Sequence, residues 1–177
     1  MLNLMLLRHG KSSWSNTGLS DFERPLTDRG LRAARAMGRY LASNDLVPQL
    51  VVCSPAKRAR ETWEILSAAF PTPPTALVVP ELYDFGDGAA LLACLRQKSG
   101  SAQSVLLVGH NPSIEGLARS LVGKGSNRLR QLLGSKYPTA TLCVIDFELE
   151  NWADLSAGSG TLLRFVRPRD LTEADGN

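Results

Sequence analysis

The stretch Leu2-Asn3-Leu4-Met5-Leu6-Leu7-Arg8-His9-Gly10 decides how the fold is read. It is an apolar run of strand length that stops at an arginine, a histidine and a glycine. Three more runs of this kind, Leu50–Cys53, Thr75–Val79 and Ser104–Val108, read as further short strands. Helical patterns fall between them. Leu31, Ala34, Met37, Gly38 and Leu41 share one helix face, with Thr27 placed to cap its start. After Ser54-Pro55, the stripe Ala59, Trp63, Leu66 and Phe70 continues at helical spacing, so Ser54 reads as N-cap and Pro55 as first helical residue. Ala89–Leu95 is a shorter helix. Behind Asn111-Pro112, the residues Ile114, Leu117, Ala118, Leu121 and Val122 mark another. Thr141–Phe147 and Thr161–Val166, divided by the polar stretch Glu148–Gly160, read as a strand pair at a sheet edge. This alternation predicts an α/β fold, a three-layer sandwich with a mostly parallel central sheet flanked by helices and an antiparallel strand pair near the C-terminus. Residues 1–168 are expected to form a single domain, and 169–177 a polar, frayed tail.

Composition narrows the class without naming a function. At 177 residues, 44% apolar and 21% charged, the chain can close a hydrophobic core without disulfides or metals as staples. Cys53, Cys94 and Cys143 have no Cys-x-x-Cys spacing and read as buried small hydrophobes. The apolar start Met1–Leu7 is too short to span a membrane, and Arg8 interrupts it where a signal peptide would continue, so a cytoplasmic protein without a membrane partner is expected. The net charge of +3 is spread over several segments with no aromatic interleaving, which argues against nucleic acid as a partner.

In an open α/β sheet, ligands bind beyond the carboxyl ends of the strands, where helix N-termini converge. The chain has two histidines, and both follow a predicted strand directly: His9 after the first, His110 after the fourth. Arg8 and Arg58 fall at the same edge. A single histidine there is as well explained by a bond to a backbone carbonyl. Two of them with arginines suit a phosphoryl group, whose oxygens need fixed positive donors while a nucleophile attacks in line. Arginine offers a planar fork that fits two phosphate oxygens, which lysine cannot copy. Lys57 and Arg60 read instead as exposed helix residues. Without a nearby acidic cluster the histidines make a poor metal site, and neither a metal nor a cofactor is expected.

These residues resemble the histidine phosphatase superfamily. The resemblance rests on residues 6–12, Arg24-Pro25-Leu26-Thr27 with Gly30, Ser54-Pro55-Ala56-Lys57-Arg58-Ala59 with Thr62, and Val108-Gly109-His110-Asn111-Pro112. The compact length and the Arg24-Pro25-Leu26-Thr27 element are most similar to the phosphohistidine phosphatase branch, whose members act on histidine-containing phosphotransfer domains. The resemblance implies His9 as covalent nucleophile, with Arg8, Arg58 and His110 on the phosphate oxygens and inorganic phosphate as product. Arg24 is implied as a further phosphate contact, with a salt bridge to Asp21 or Glu23 as the competing reading. Glu81, just after the third strand, is the candidate general acid; a solvated loop carboxylate is the plainer reading of Glu81, Asp84 and Asp87 alike. Ser54, Lys11 and Ser12 are possible donors at the rim.

Other phosphate chemistries fit less well. A tyrosine-phosphatase-like loop needs a cysteine six positions before its arginine in a glycine-rich turn, and Cys53 lies five before Arg58 without the glycines. Neither a nucleotide-binding Gly-x-x-x-x-Gly-Lys-Ser/Thr loop nor a Gly-x-Ser-x-Gly elbow occurs. Two alternatives stay open: a phosphatase or mutase acting on a small phosphorylated metabolite, and a non-catalytic module that binds phosphorylated proteins.

Overall fold

A computed structural model describes residues 1–172. The chain runs through β1 (Leu2–Arg8), α1 (Asp28–Ser43), β2 (Leu50–Cys53), α2 (Lys57–Ser67), β3 (Ala76–Val78), α3 (Ala89–Lys98) and β4 (Ser104–Gly109). It continues with α4 (Ser113–Leu121), β5 (Val122–Gly125), α5 (Asn127–Ser135), β6 (Leu142–Phe147), β7 (Gly160–Val166) and α6 (Pro168–Thr172). The strands form one sheet in the order β3-β2-β4-β1-β6-β7-β5. β1, β2, β3 and β4 run parallel, and β6 runs against both its neighbours, β1 and β7.

The opening apolar run is a strand covered on both faces. Because side chains alternate sides along a strand, Leu2, Leu4 and Leu6 enter one core, with α3, α4 and α5, while Met5 and Leu7 enter the other, with α1 and α2. β4 divides in the same way, with Val105 and Leu107 on one face and Leu106 and Val108 on the other. The result is an α/β three-layer sandwich.

Several details depart from the sequence expectation. The antiparallel pair is not an edge: β6 lies beside β1 inside the sheet, and the short β5, which takes Val122 out of the helix before it, is the border strand. α2 begins at Lys57, two residues later than the Ser54-Pro55 signal implies, and α4 begins at Ser113. The expected stripe end Phe70 lies beyond α2 yet remains buried against Trp63. Pro168–Thr172 is a helical turn that packs on α1 through Leu171, so the first part of the expected tail is ordered structure; 173–177 lie outside the described residues.

α1 and α2 meet at Gly38, where a Cβ would overlap the carbonyl oxygen of Leu66. Alanine in mid-helix normally gains ~1 kcal/mol over glycine. Here over-packing, with its typical cost of about 1–3 kcal/mol, opposes that gain. Gly38→Ala is therefore expected to lower the urea midpoint; a higher midpoint would contradict the close crossing of the two helices.

Candidate active site

Backbone bonds bring the strand ends together. The His9 amide donates to Gly109 O at 3.0 Å, the Ser54 amide to Val108 O at 2.9 Å, and the Ala140 amide to the carbonyls of both Arg8 and His9. His9, Ser54 and His110 thus emerge side by side, and the two imidazole centroids lie 5.0 Å apart.

His9 is held as a nucleophile would need to be. Its Nδ1 lies 2.6 Å from Gly10 O, which can only accept, so the ring proton sits on Nδ1 and Nε2 carries a lone pair. Gly10 is fixed in turn, because its amide donates to the Thr62 hydroxyl at 2.9 Å and that hydroxyl donates to Arg58 O at 2.6 Å. Burial, reinforced by the positive charges of Arg58, Arg8 and Arg24, lowers the His9 pKa to about 3, so the ring is neutral across the physiological range.

Arg58, on the first turn of α2 and buried, spreads its fork between two partners. Nε donates to His9 Nε2 at 3.3 Å, while the two terminal nitrogens donate to the Asp21 carbonyl at 2.6 Å and carboxylate at 3.1 Å. Asp21 also takes Arg24 Nε at 3.1 Å and the Tyr83 hydroxyl at 2.6 Å. Burial opposes its ionisation, but the bond from Tyr83 and the guanidinium groups of Arg58 and Arg24 prevail and hold the carboxyl below its usual range. Arg24 makes the salt bridge to Asp21, at 3.0 Å, that is the competing reading to its phosphate contact. Its guanidinium also stacks 3.5 Å from the centroid of the exposed Trp14.

His110 is buried behind Tyr83 and Phe85, whose rings stand 5.5 and 5.1 Å from it. Its pKa is lowered to about 3 by burial and then by the neighbouring His9 and Arg58. Nε2 lies 2.7 Å from Ser54 Oγ, which also accepts from the Ala56 amide; with its second lone pair and its own proton, the hydroxyl can either take or give the hydrogen in the bond to His110. The other ring nitrogen, Nδ1, is buried with no hydrogen-bond partner among the described residues, and where Ser54 is the donor it carries the ring hydrogen. Arg8 Nε is a buried donor that likewise lacks a partner, its NH1 being tied to Tyr137 O at 2.8 Å. Unmatched buried donors cost about 1–3 kcal/mol each, so as donors these two atoms suit an anion's oxygens.

Glu81 stands apart from the cluster. Its exposed carboxylate pairs with Lys98 of α3 at 3.4 Å, and its pKa is lowered, first by a local backbone hydrogen bond and then, against slight desolvation, by Lys98. Ser12 bridges to Leu26, and Lys11 is exposed outside the cluster. Ser54 is not a helix cap but a partner of His110. Thr62, part of the Arg58 motif, holds Gly10, whereas Asp21 and Tyr83 enter the site from elements where no local pattern marks them as joined to it.

Two neutral histidines and three arginines thus gather beyond the strand ends of an α/β sandwich. The chain belongs to the histidine phosphatase superfamily, whose branch 1 family model matches residues 4–87. Phosphohistidine phosphatase SixA of Escherichia coli is 31% identical over 121 residues, which cover 68% of this chain and 74% of that protein. An uncharacterised protein of Mycobacterium tuberculosis is 30% identical over 165 residues, 92% of this chain and 100% of its relative. Among solved structures, the protein histidine phosphatase SixA complexed with tungstate matches with a TM-score of 0.77 at 25% identity, covering 96% of this chain and 99% of that one. No helix among the described residues is long and apolar enough to cross a membrane.

Proposed function

We propose that the chain is a phosphatase that works without a metal, taking the phosphoryl group of a phosphohistidine in a signalling phosphotransfer protein onto His9 and passing it to water. The observation that carries this reading is the Nε2 lone pair of His9, fixed by the Nδ1–H bond to Gly10 O. Nε2 forms a bond to phosphorus as the substrate's P–N bond breaks, and the departing imidazole takes up a proton from solvent. Water then adds to the phosphorus of phospho-His9, and orthophosphate leaves with Nε2 restored. Arg8, Arg24, Arg58 and His110 supply the donors that meet charge on the transferring oxygens. That the SixA relative was solved with tungstate, an oxyanion shaped like phosphate, supports such a site.

The leaving group follows from the carboxylates. Asp21, the one in contact with the cluster, is held ionised, and Glu81 is ionised and turned to Lys98. An imidazole leaves phosphorus without a strong acid, whereas an alkoxide needs one. We accordingly give Glu81 no part in P–N cleavage. One domain over residues 1–168 carries the activity, and free, buried Cys53, Cys94 and Cys143 suit a reducing cytoplasm.

A turnover panel of a phosphohistidine protein, phosphoramidate, aryl phosphate and sugar phosphates, run with Glu81→Gln, tests this. P–N substrates are expected to turn over fastest and to be unaffected by the substitution. Preference for a sugar phosphate, or loss of P–N turnover in Glu81→Gln, would sink the assignment.

A further inference from the structure

A groove of about 840 Å³ opens beside the histidine site, between the outer face of α1, the turn before β6 and α6. Lys11, Arg29, Arg32, Arg35, Arg39 and Lys136 line it, all of them exposed. Among the described residues none of these six is in an ion pair, and no acidic side chain lines the groove. A chain of net charge +3 thus concentrates twice that charge around one groove. Arg29, Arg32, Arg35 and Arg39 recur three and four residues apart, spacings at which like charges repel on one helix face. The stripe works against the helix that carries it, and an anionic surface laid over it would relieve that repulsion.

The floor is apolar, formed by Ala33, Ala36, Pro138 and Leu171. Aliphatic floor with basic rim matches an amphipathic protein segment that turns apolar side chains down and carboxylates outward. The lining has no aromatic ring on which a nucleic-acid base would stack. The groove also meets the site: Lys11 lies two residues beyond His9, and Ala140, next to the lining residue Thr139, holds the carbonyls of Arg8 and His9.

We propose that this basic groove docks an acidic segment of the phosphorylated protein while its phosphohistidine reaches His9. The proposal rests on the phosphatase reading above and adds to it a surface that selects a protein over a small phosphorylated molecule. It separates two kinetic parameters. Docking contributes to the protein substrate alone, so its removal raises KM for that substrate and leaves chemistry at phosphorus untouched.

The test compares the wild-type chain with Arg32→Glu/Arg35→Glu/Arg39→Glu on two phosphodonors, phosphoramidate and a histidine-phosphorylated phosphotransfer domain of net negative charge. Phosphoramidate turnover should be equal in both, which also reports that the variant is folded. For the protein substrate, KM should rise at least about tenfold with kcat unchanged, in line with rim-charge effects on association. Wild-type kcat/KM for the protein should fall with added salt more steeply than that for phosphoramidate, a small anion that meets the phosphate site alone. An unchanged KM for the protein, with phosphoramidate turnover intact, overturns the groove proposal. So does a wild-type chain whose groove charges govern retention on duplex DNA and leave the phosphoprotein KM alone. Absence of turnover on both donors in the wild type defeats the phosphatase reading instead, so the two failures are distinct.

Discussion

His9→Ala is expected to abolish turnover, with kcat/KM falling by about 10⁴-fold or more, the scale on which removal of a covalent nucleophile acts. His110 is not expected to stand in, because its Nε2 is committed to Ser54 Oγ. The loss should be chemical and not structural. Burial already opposes a charged ring at position 9, so a neutral small residue introduces no unpaired charge. Phosphorus NMR after incubation with phosphoramidate should show an acid-labile, base-stable phosphoenzyme in the wild type and none in the variant, at equal circular dichroism. Residual activity within tenfold of wild type would remove His9 from the nucleophile's role. A wild type with neither adduct nor turnover would favour the binding-module alternative.

Arg58→Ala should produce the second largest loss, about 10²–10³ in kcat, the usual result of deleting one fixed donor to developing charge. Arg58→Lys should recover little, since an ammonium cannot reach His9 Nε2 and two oxygens of Asp21 in one plane. The acid side of the rate profile adds a signature. Burial is the main reason His9 resists protonation, and the Arg58 charge adds to it. Removing that charge raises the His9 pKa from about 3 toward its ordinary value, so more of the nucleophile is protonated at mildly acid pH. The fall in kcat/KM on acidification should therefore begin at higher pH in Arg58→Ala than in the wild type. A coincident acid limb would mean that Arg58 does not act on the ring.

The strand ends were legible in the sequence because each apolar run stops where it meets a polar residue. Arg8, His9 and His110 follow directly from that, and Arg58 from its distance beyond β2. What was hidden depends on partners distant along the chain. Ser54 satisfies every local rule for a helix cap, yet its hydroxyl bonds to His110, 56 residues on, and α2 starts at Lys57. Asp21 was visible only as a partner for Arg24, whereas its tie to Arg58 and Tyr83 exists only after the loop before α1 folds back over α2. β5 went unread because Val122-Gly123-Lys124-Gly125 has neither β-branched enrichment nor alternation; it is a strand because β7 lies alongside. β6 reads as part of an edge pair, although Leu142–Ile145 are all buried, as in an interior strand; Asp146 is the polar break that suggests an edge.

The position of β1 also bears on how the chain comes to be folded at all. Its sheet partners are Ser104–Gly109 and Leu142–Phe147, so β1 has no neighbour until the chain about 100 residues beyond it exists. About 100 residues separate the end of β1 from the end of β4, its first partner to be made, so at ~5–20 residues per second a ribosome needs roughly 5–20 s to supply it. For that interval Leu2–Leu7 is an unpaired apolar strand on a nascent chain, open to pairing with other chains. The segment that delivers the nucleophile is also where synthesis is most exposed to aggregation, and recovery of active protein depends on how that interval is shielded.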